Sequence, residues 1–69
     1  MFIHPNKPIQ YHGAAEKGHV DAQYELGECL RLGNGVQKNA KEALDWYRKA
    51  AKQGHIKSQK RLNELGETW

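Results

Sequence analysis

Apolar and small residues recur along most of this 69-residue chain at three- and four-residue spacings. From Ala22 to Leu32 they fall at Ala22, Leu26, Cys29 and Leu30, which is one stripe of a helix. From Ala40 to Gln53 they fall at Ala40, Ala43, Leu44, Tyr47, Ala50 and Ala51. A third stripe of Ser58, Leu62 and Leu65 predicts a helix from Lys57 or Ser58 to Glu67, with Trp69 on the same stripe if the helix persists. A shorter helix is predicted over about Ile9 to Lys17. No stretch alternates with a period of two, so no strand is expected. The fold class is therefore all-α, with about four antiparallel helices. Ahead of them, Pro5 and Pro8 disfavour helix in the residues they follow, so residues 1–8 read as an extended arm.

Polar punctuation sets the ends of these helices. Gly18 and Gly54 suit left-handed C-terminal caps, and the histidines after them fall in the turns. Asp21 is positioned to cap the second helix. Gly33-Asn34-Gly35 ends it, with Val36 plugging the loop. Asn39 followed by Glu42 is a capping-box variant opening the third helix.

The chain also repeats itself. Shifted by 36 positions, Tyr11 meets Tyr47, Ala14-Ala15 meets Ala50-Ala51, Gly18-His19 meets Gly54-His55, and Gln23, Leu26 and Glu28 meet Gln59, Leu62 and Glu64. A helical period of this length marks a helix-turn-helix solenoid. Paired alanines let neighbouring helices approach closely, and the glycine that follows turns the chain back. The expected organisation is an arm over 1–8, a half unit over 9–20, a complete repeat over 21–54 and a capping half unit over 55–69. Met1 and Trp69 are expected to be natural ends.

Leu26-Gly27, Gly33-Asn34-Gly35-Val36, Asn39, Ala43, Trp46-Tyr47 and Lys49-Ala50-Ala51 before Gly54, preceded by the small Ala22, form a pattern that resembles the Sel-one-like repeat, a branch of the tetratricopeptide superfamily. The resemblance covers about Tyr11 to Leu65. Asn39 replaces a frequent aspartate, Cys29-Leu30 replaces an apolar-tyrosine pair, and Asn63 stands where the repeat has Gly27. With one cysteine, the chain does not resemble the members with bridged cysteine pairs. The resemblance implies a scaffold that binds other proteins on a helical surface and implies no reaction.

Charge adds a lopsided field to this picture. The net charge is +3, yet residues 38–61 carry eight basic residues against Glu42 and Asp45, a local +6. Such a field steers an acidic protein or a nucleic acid. No run of apolar residues is long enough to span a bilayer and the N-terminus lacks a signal pattern, so a cytoplasmic location is expected. His4, His12, His19 and His55 lack the helical spacing and acidic company of a metal site. Cys29 falls on a buried stripe with no base at nucleophile spacing. Neither a phosphate-binding loop nor a catalytic constellation is present, so no cofactor, metal or enzymatic activity is expected.

The expected function is a protein-interaction module, an adaptor or a small inhibitor of a larger protein, with a bacterial or phage source. The candidate contact residues are Tyr24, Glu28 and Arg31, on the face opposite the second helix's buried stripe, and the basic surface of Arg48, Lys49, Lys52, Lys60 and Arg61. Trp69 either seals the last helix or sits in a partner. The partner is another protein, acidic in character. A repeat this short falls below the roughly three units that usually suffice for stability, so weak homodimer formation is a further expectation. The alternative function is a small basic protein that binds nucleic acid, against which stands the scarcity of free aromatic stacking platforms.

Overall fold

The computed structural model describes residues 7–69, with side chains from Tyr11 onward. Four helices follow one another: α1 (Lys7–Glu16), α2 (Val20–Leu32), α3 (Ala40–Lys52) and α4 (Ile56–Glu64). Each packs on the next in sequence, giving a short helical solenoid of 38 × 22 × 15 Å. The rings of His12 and Trp46 meet edge to face, 6.0 Å apart, which brings α1 beside α3. Ion pairs across Glu28 and Arg61 bring α2 beside α4. The stack thus has two layers, α1 with α3 and α2 with α4.

The core is built from the small and apolar stripes. Ala15, Leu26, Leu30, Ala43, Trp46, Tyr47, Ala51 and Leu62 are buried together, and Val36 packs against them from the loop. Cys29 is buried, as its stripe requires. At the centre lies Tyr47, with no exposed surface. Its ring occupies the space beside Gly27, where a Cβ would lie only 2.7 Å from the Tyr47 Cε1 atom. Leu26-Gly27 and Trp46-Tyr47 are therefore two halves of one contact: the bare backbone of α2 receives the ring of α3.

The two copies of the alanine-rich turn are geometrically alike. Gly18 N–H donates to the Ala15 carbonyl and His19 N–H to the Ala14 carbonyl, at 3.0 and 3.1 Å. Gly54 and His55 repeat both bonds to Ala51 and Ala50, at 2.9 and 3.1 Å. These are the paired bonds of a Schellman turn, which needs positive φ at the glycine; φ is 92° at Gly18 and 90° at Gly54. A second clasp follows in each copy. Gln23 Nε2 donates to the Ala15 carbonyl and Gln59 Nε2 to the Ala51 carbonyl, pinning each new helix to the end of the previous one.

Several boundaries differ from expectation. Helix α1 already includes Lys7 and Pro8, which were expected in the extended arm. A proline in the first turn sacrifices only an N–H that has no partner within the helix. The rest of that arm, residues 1–6, lies outside the described residues. Helix α2 begins at Val20 with His19 as its cap residue, so Asp21 sits inside the first turn and favours the helix through the macrodipole instead of capping it. Asn39 does cap α3, its Oδ1 accepting from Glu42 N–H at 3.1 Å. The Glu42 carboxylate does not return the bond; it accepts from Trp46 Nε1. Helix α4 starts at Ile56 and ends at Glu64, short of the expected Glu67. Gly66 N–H and Glu67 N–H bond back to the carbonyls of Asn63 and Leu62 and close the helix there. Trp69 is consequently off the α4 stripe.

The Gly27 contact yields a pair of opposite expectations. Gly27→Ala should destabilise the fold by about 1–3 kcal/mol, because overpacking against Tyr47 outweighs the better helix propensity of alanine. Gly13→Ala, in α1 where a Cβ would meet nothing within 4 Å, should stabilise it by about 0.5–1 kcal/mol. Urea unfolding of the two variants checks both signs; a neutral Gly27→Ala would show that the ring does not depend on the bare backbone.

Candidate functional site

The outer face of α2 and α4 is the candidate surface, and its seam is an interlocked set of charges. Glu28 accepts from Arg31 Nη2 on its own helix at 2.7 Å and from Arg61 Nε on α4 at 2.8 Å. Arg61 also donates to Glu64 Oε1 at 2.7 Å and to the Tyr24 hydroxyl at 3.4 Å. Arg31 Nε donates to the Tyr47 hydroxyl at 3.1 Å, which connects the seam to the core. The Tyr24 ring lies 5.9 Å from that of Tyr47 and 5.1 Å from the imidazole of His55.

This arrangement corrects the expected exposure of Tyr24, Glu28 and Arg31. They are half-buried, and the Glu28 side chain is only 15% exposed. The period of one helix places them opposite the core, but Arg61 of α4 reaches Tyr24 and Glu28, and Arg31 lies against Tyr47 of α3. Burial works against the Glu28 carboxylate, yet the hydrogen bonds from Arg31, Tyr24 and Arg61 outweigh it and hold Glu28 below its ordinary 4.5. Burial, and then the neighbouring Glu28, push the Tyr24 phenol up. Both arginines are shifted upward by their partners and stay charged.

At one end of the seam, His55 joins the N-termini of α2 and α4. Its Nδ1 accepts from Ser58 N–H at 3.2 Å, capping α4, so the ring proton is on Nε2, which faces Asp21 Oδ1 at 3.2 Å. A groove of about 390 Å³ opens here, with Tyr24 and His55, Asp21 and Glu25 from α2, and Ile56 and Lys57 from α4. Asp21 and Glu25 lie at i, i+4 on the α2 wall; Lys57 and Lys60 lie at i, i+3 on the α4 wall. Sequence reasoning missed Asp21, Glu25, Lys57 and His55 as surface partners. The opposite charges at positions 21 and 57, one repeat apart, were the available signal.

The expected basic surface is divided between two helices. Arg48, Lys49 and Lys52 lie on α3, Lys60 and Arg61 on α4. Arg48 is engaged with the C-terminal segment, donating to Glu67 Oε1 at 2.7 Å and to the Thr68 carbonyl at 2.9 Å. Lys49 Nζ lies 4.2 Å over the Trp46 ring. Lys52 and Lys60 are exposed. Trp69 is 45% exposed beyond the end of α4. Among the described residues no group of His, Cys, Asp and Glu could hold a metal ion, and no helix is long and apolar enough to cross a membrane.

Because Glu28 is held below its ordinary value, it contributes stability that is present above about pH 4.5 and is lost as pH falls through its lower folded-state value. Glu28→Gln should therefore flatten that acid limb of the stability profile, and Glu28→Ala should cost about 1–3 kcal/mol at neutral pH by leaving two guanidiniums without their shared acceptor. Unfolding measured between pH 2 and 7 separates the two effects. An acid limb unchanged in Glu28→Gln would remove Glu28 as its source.

Comparison with known proteins agrees with the architecture. The Sel1 repeat pattern matches residues 20–55, from the first residue of α2 through α3 to the cap of α4. Chitin synthase regulatory factor 3 of Schizosaccharomyces pombe is 47% identical over 53 residues, 77% of this chain and 6% of that protein. Chitin synthase regulatory factor 2 of the same yeast is 36% identical over 52 residues, 75% of this chain and 10% of that protein. DAP3-binding cell death enhancer 1 of Rattus norvegicus is 40% identical over 52 residues, again 75% of this chain and 10% of the relative. The chain thus spans a tenth or less of the length of these relatives. They are all eukaryotic, and the bacterial or phage source expected from the sequence finds no support among them. No solved structure matches the chain. The matched segment covers more than half of the residues and every turn and cap described above for the complete repeat, and the chain belongs to the Sel1 repeat family.

Proposed function

We propose that this chain is a protein-interaction module that binds its partner on the α2–α4 face, as an adaptor or a small inhibitor of a larger protein. The observation that carries this reading is the groove between the two helices. Aromatic side chains floor it, Tyr24 is pre-positioned by Tyr47 and His55, and unpaired charges stand on both walls. Rigid aromatic anchors ringed by charge are what interface centres favour. The family and the printed names of the relatives, two regulatory factors and a DAP3-binding protein, support binding as the activity.

The acidic partner expected from the local +6 charge is replaced in this proposal by one that carries both signs. Arg48 and Arg61 are already neutralised by carboxylates and Lys49 rests on Trp46, whereas the groove walls keep Asp21 and Glu25 opposite Lys57. The engagement of Arg48, Lys49 and Arg61 also argues against the nucleic-acid alternative, because it occupies three of the eight cations of the basic segment.

A photo-reactive residue at Glu25 should cross-link the chain to another protein, and the cross-link should weaken on Lys57→Glu. The same residue at Lys41, on the outer side of α3, should capture nothing. Equal capture from both positions, or recovery of nucleic acid, would count against the groove as the binding site.

A further inference from the structure

The charges on the α2–α4 face are inverted between the two copies of the repeat. Asp21 has Lys57 as its counterpart one repeat on, Glu25 has Arg61 with Lys60 beside it, and Arg31 has Glu67. The two helices run side by side in the same direction, since Asp21 meets His55 near their starts and Glu28 meets Arg61 further along. Counterparts therefore lie at the same level to within one helical turn. One wall is acidic, the other basic, and both are built on the same backbone geometry.

We propose that this face is self-complementary and takes a second copy of the chain. A twofold axis lying in the face, parallel to α2 and α4 and midway between them, sets α2 of each copy against α4 of the other. Asp21 then stands over Lys57 of the second copy, and Glu25 over Lys60. The axis doubles both pairs, as isologous contacts require. Glu25, Lys57 and Lys60 are exposed and make no hydrogen bond or ion pair among the described residues, which leaves them to pair across the axis. The one like-signed meeting, Glu28 with Glu64, is already offset, because Arg61 holds both carboxylates and Arg31 holds Glu28. The Tyr24 ring lies beneath these pairs and limits their access to water.

The face also sets the strength of the contact. Helices of 13 and 9 residues, at about 1.5 Å per residue and each about 10 Å wide, offer about 330 Å². A stable interface needs about 800 Å² per partner. The dimer is accordingly weak and dominated by charge, and it dissociates as salt rises. This inference rests on the reading of the α2–α4 face as the binding surface, and it names one occupant of that face.

The test uses the full chain and two reversals at exposed positions, Glu25→Lys and Lys60→Glu, with helical content checked by circular dichroism. Sedimentation across a concentration series at low salt should show reversible dimer formation for the unaltered chain. Each variant alone should associate at least about 10-fold more weakly, since each places like charges opposite one another. An equimolar mixture of the two variants should recover the association, because in the mixed dimer both cross-axis pairs are again of opposite sign. A chain that stays monomeric throughout, variants that associate like the parent, or a mixture that fails to recover would each overturn the proposal. Cross-linking from Glu25 to a foreign protein, with no self-association, would overturn this inference and leave the proposed function standing. Self-association that follows the charge rule, with no foreign protein captured, would do the reverse.

Discussion

The approach of the Tyr47 ring to the bare backbone at Gly27 is the constraint on which the remaining contacts depend. It sets how closely α2 and α3 pack, and so where the Tyr47 hydroxyl emerges. That hydroxyl accepts from Arg31, Arg31 shares Glu28 with Arg61, and Arg61 fixes α4 against α2. A steric fact in the core is thereby converted, in four steps, into the position of a charged side chain on the outer face. The polar seam is satisfied throughout: among the described residues no buried side-chain nitrogen or oxygen lacks a hydrogen-bond partner. A nearly buried carboxylate is tolerable only under that condition.

The 36-residue period separates what the fold needs from what the surface can vary. The parts that repeat in kind are those that turn and fasten the chain: the alanine pair, the left-handed glycine, and the glutamine that reaches back to the preceding helix. Outward positions are held less closely: Glu28 and Glu64 repeat, while Asp21 and Lys57 change sign. A backbone copied twice with inverted outward charges is a general route to a face with two unlike walls, because the geometry is held constant while the chemistry differs.

Much of this was legible in the sequence, and the misses have a common cause. The helix stripes, the Gly18 and Gly54 turns, the Asn39 cap and the burial of Cys29 follow from rules that act within one helix or one turn. The half-buried state of Tyr24, Glu28 and Arg31 does not, because it depends on other helices: Arg61 of α4 for Tyr24 and Glu28, more than thirty residues away, and Tyr47 of α3 for Arg31. His55 was expected in a turn and is there, but its second role, Nδ1 capping α4 while Nε2 faces Asp21, depends on the register between two helices. The early end of α4 was missed for a different reason. The stripe of Leu62 and Leu65 continues in the sequence, while in the structure the bonds from Gly66 and Glu67 to Asn63 and Leu62 close the helix first.

Asn63 shows how a single side chain changes what the repeat can do. It occupies the position that Gly27 holds one repeat earlier, and it is exposed. At Gly27 even a Cβ would be too close to the Tyr47 ring, so a side chain at the matching position excludes a ring packed in that way. Asn63 cannot offer the bare backbone that receives the Tyr47 ring at Gly27, so the second copy of the repeat lacks that one contact. Arg48 instead draws the segment after α4 back onto α3 through Glu67 and the Thr68 carbonyl. On the outer face, by contrast, the seam of Glu28, Arg31, Arg61 and Glu64 is paired within the molecule, and the charges left over among the described residues are Glu25 on α2 and Lys57 and Lys60 on α4.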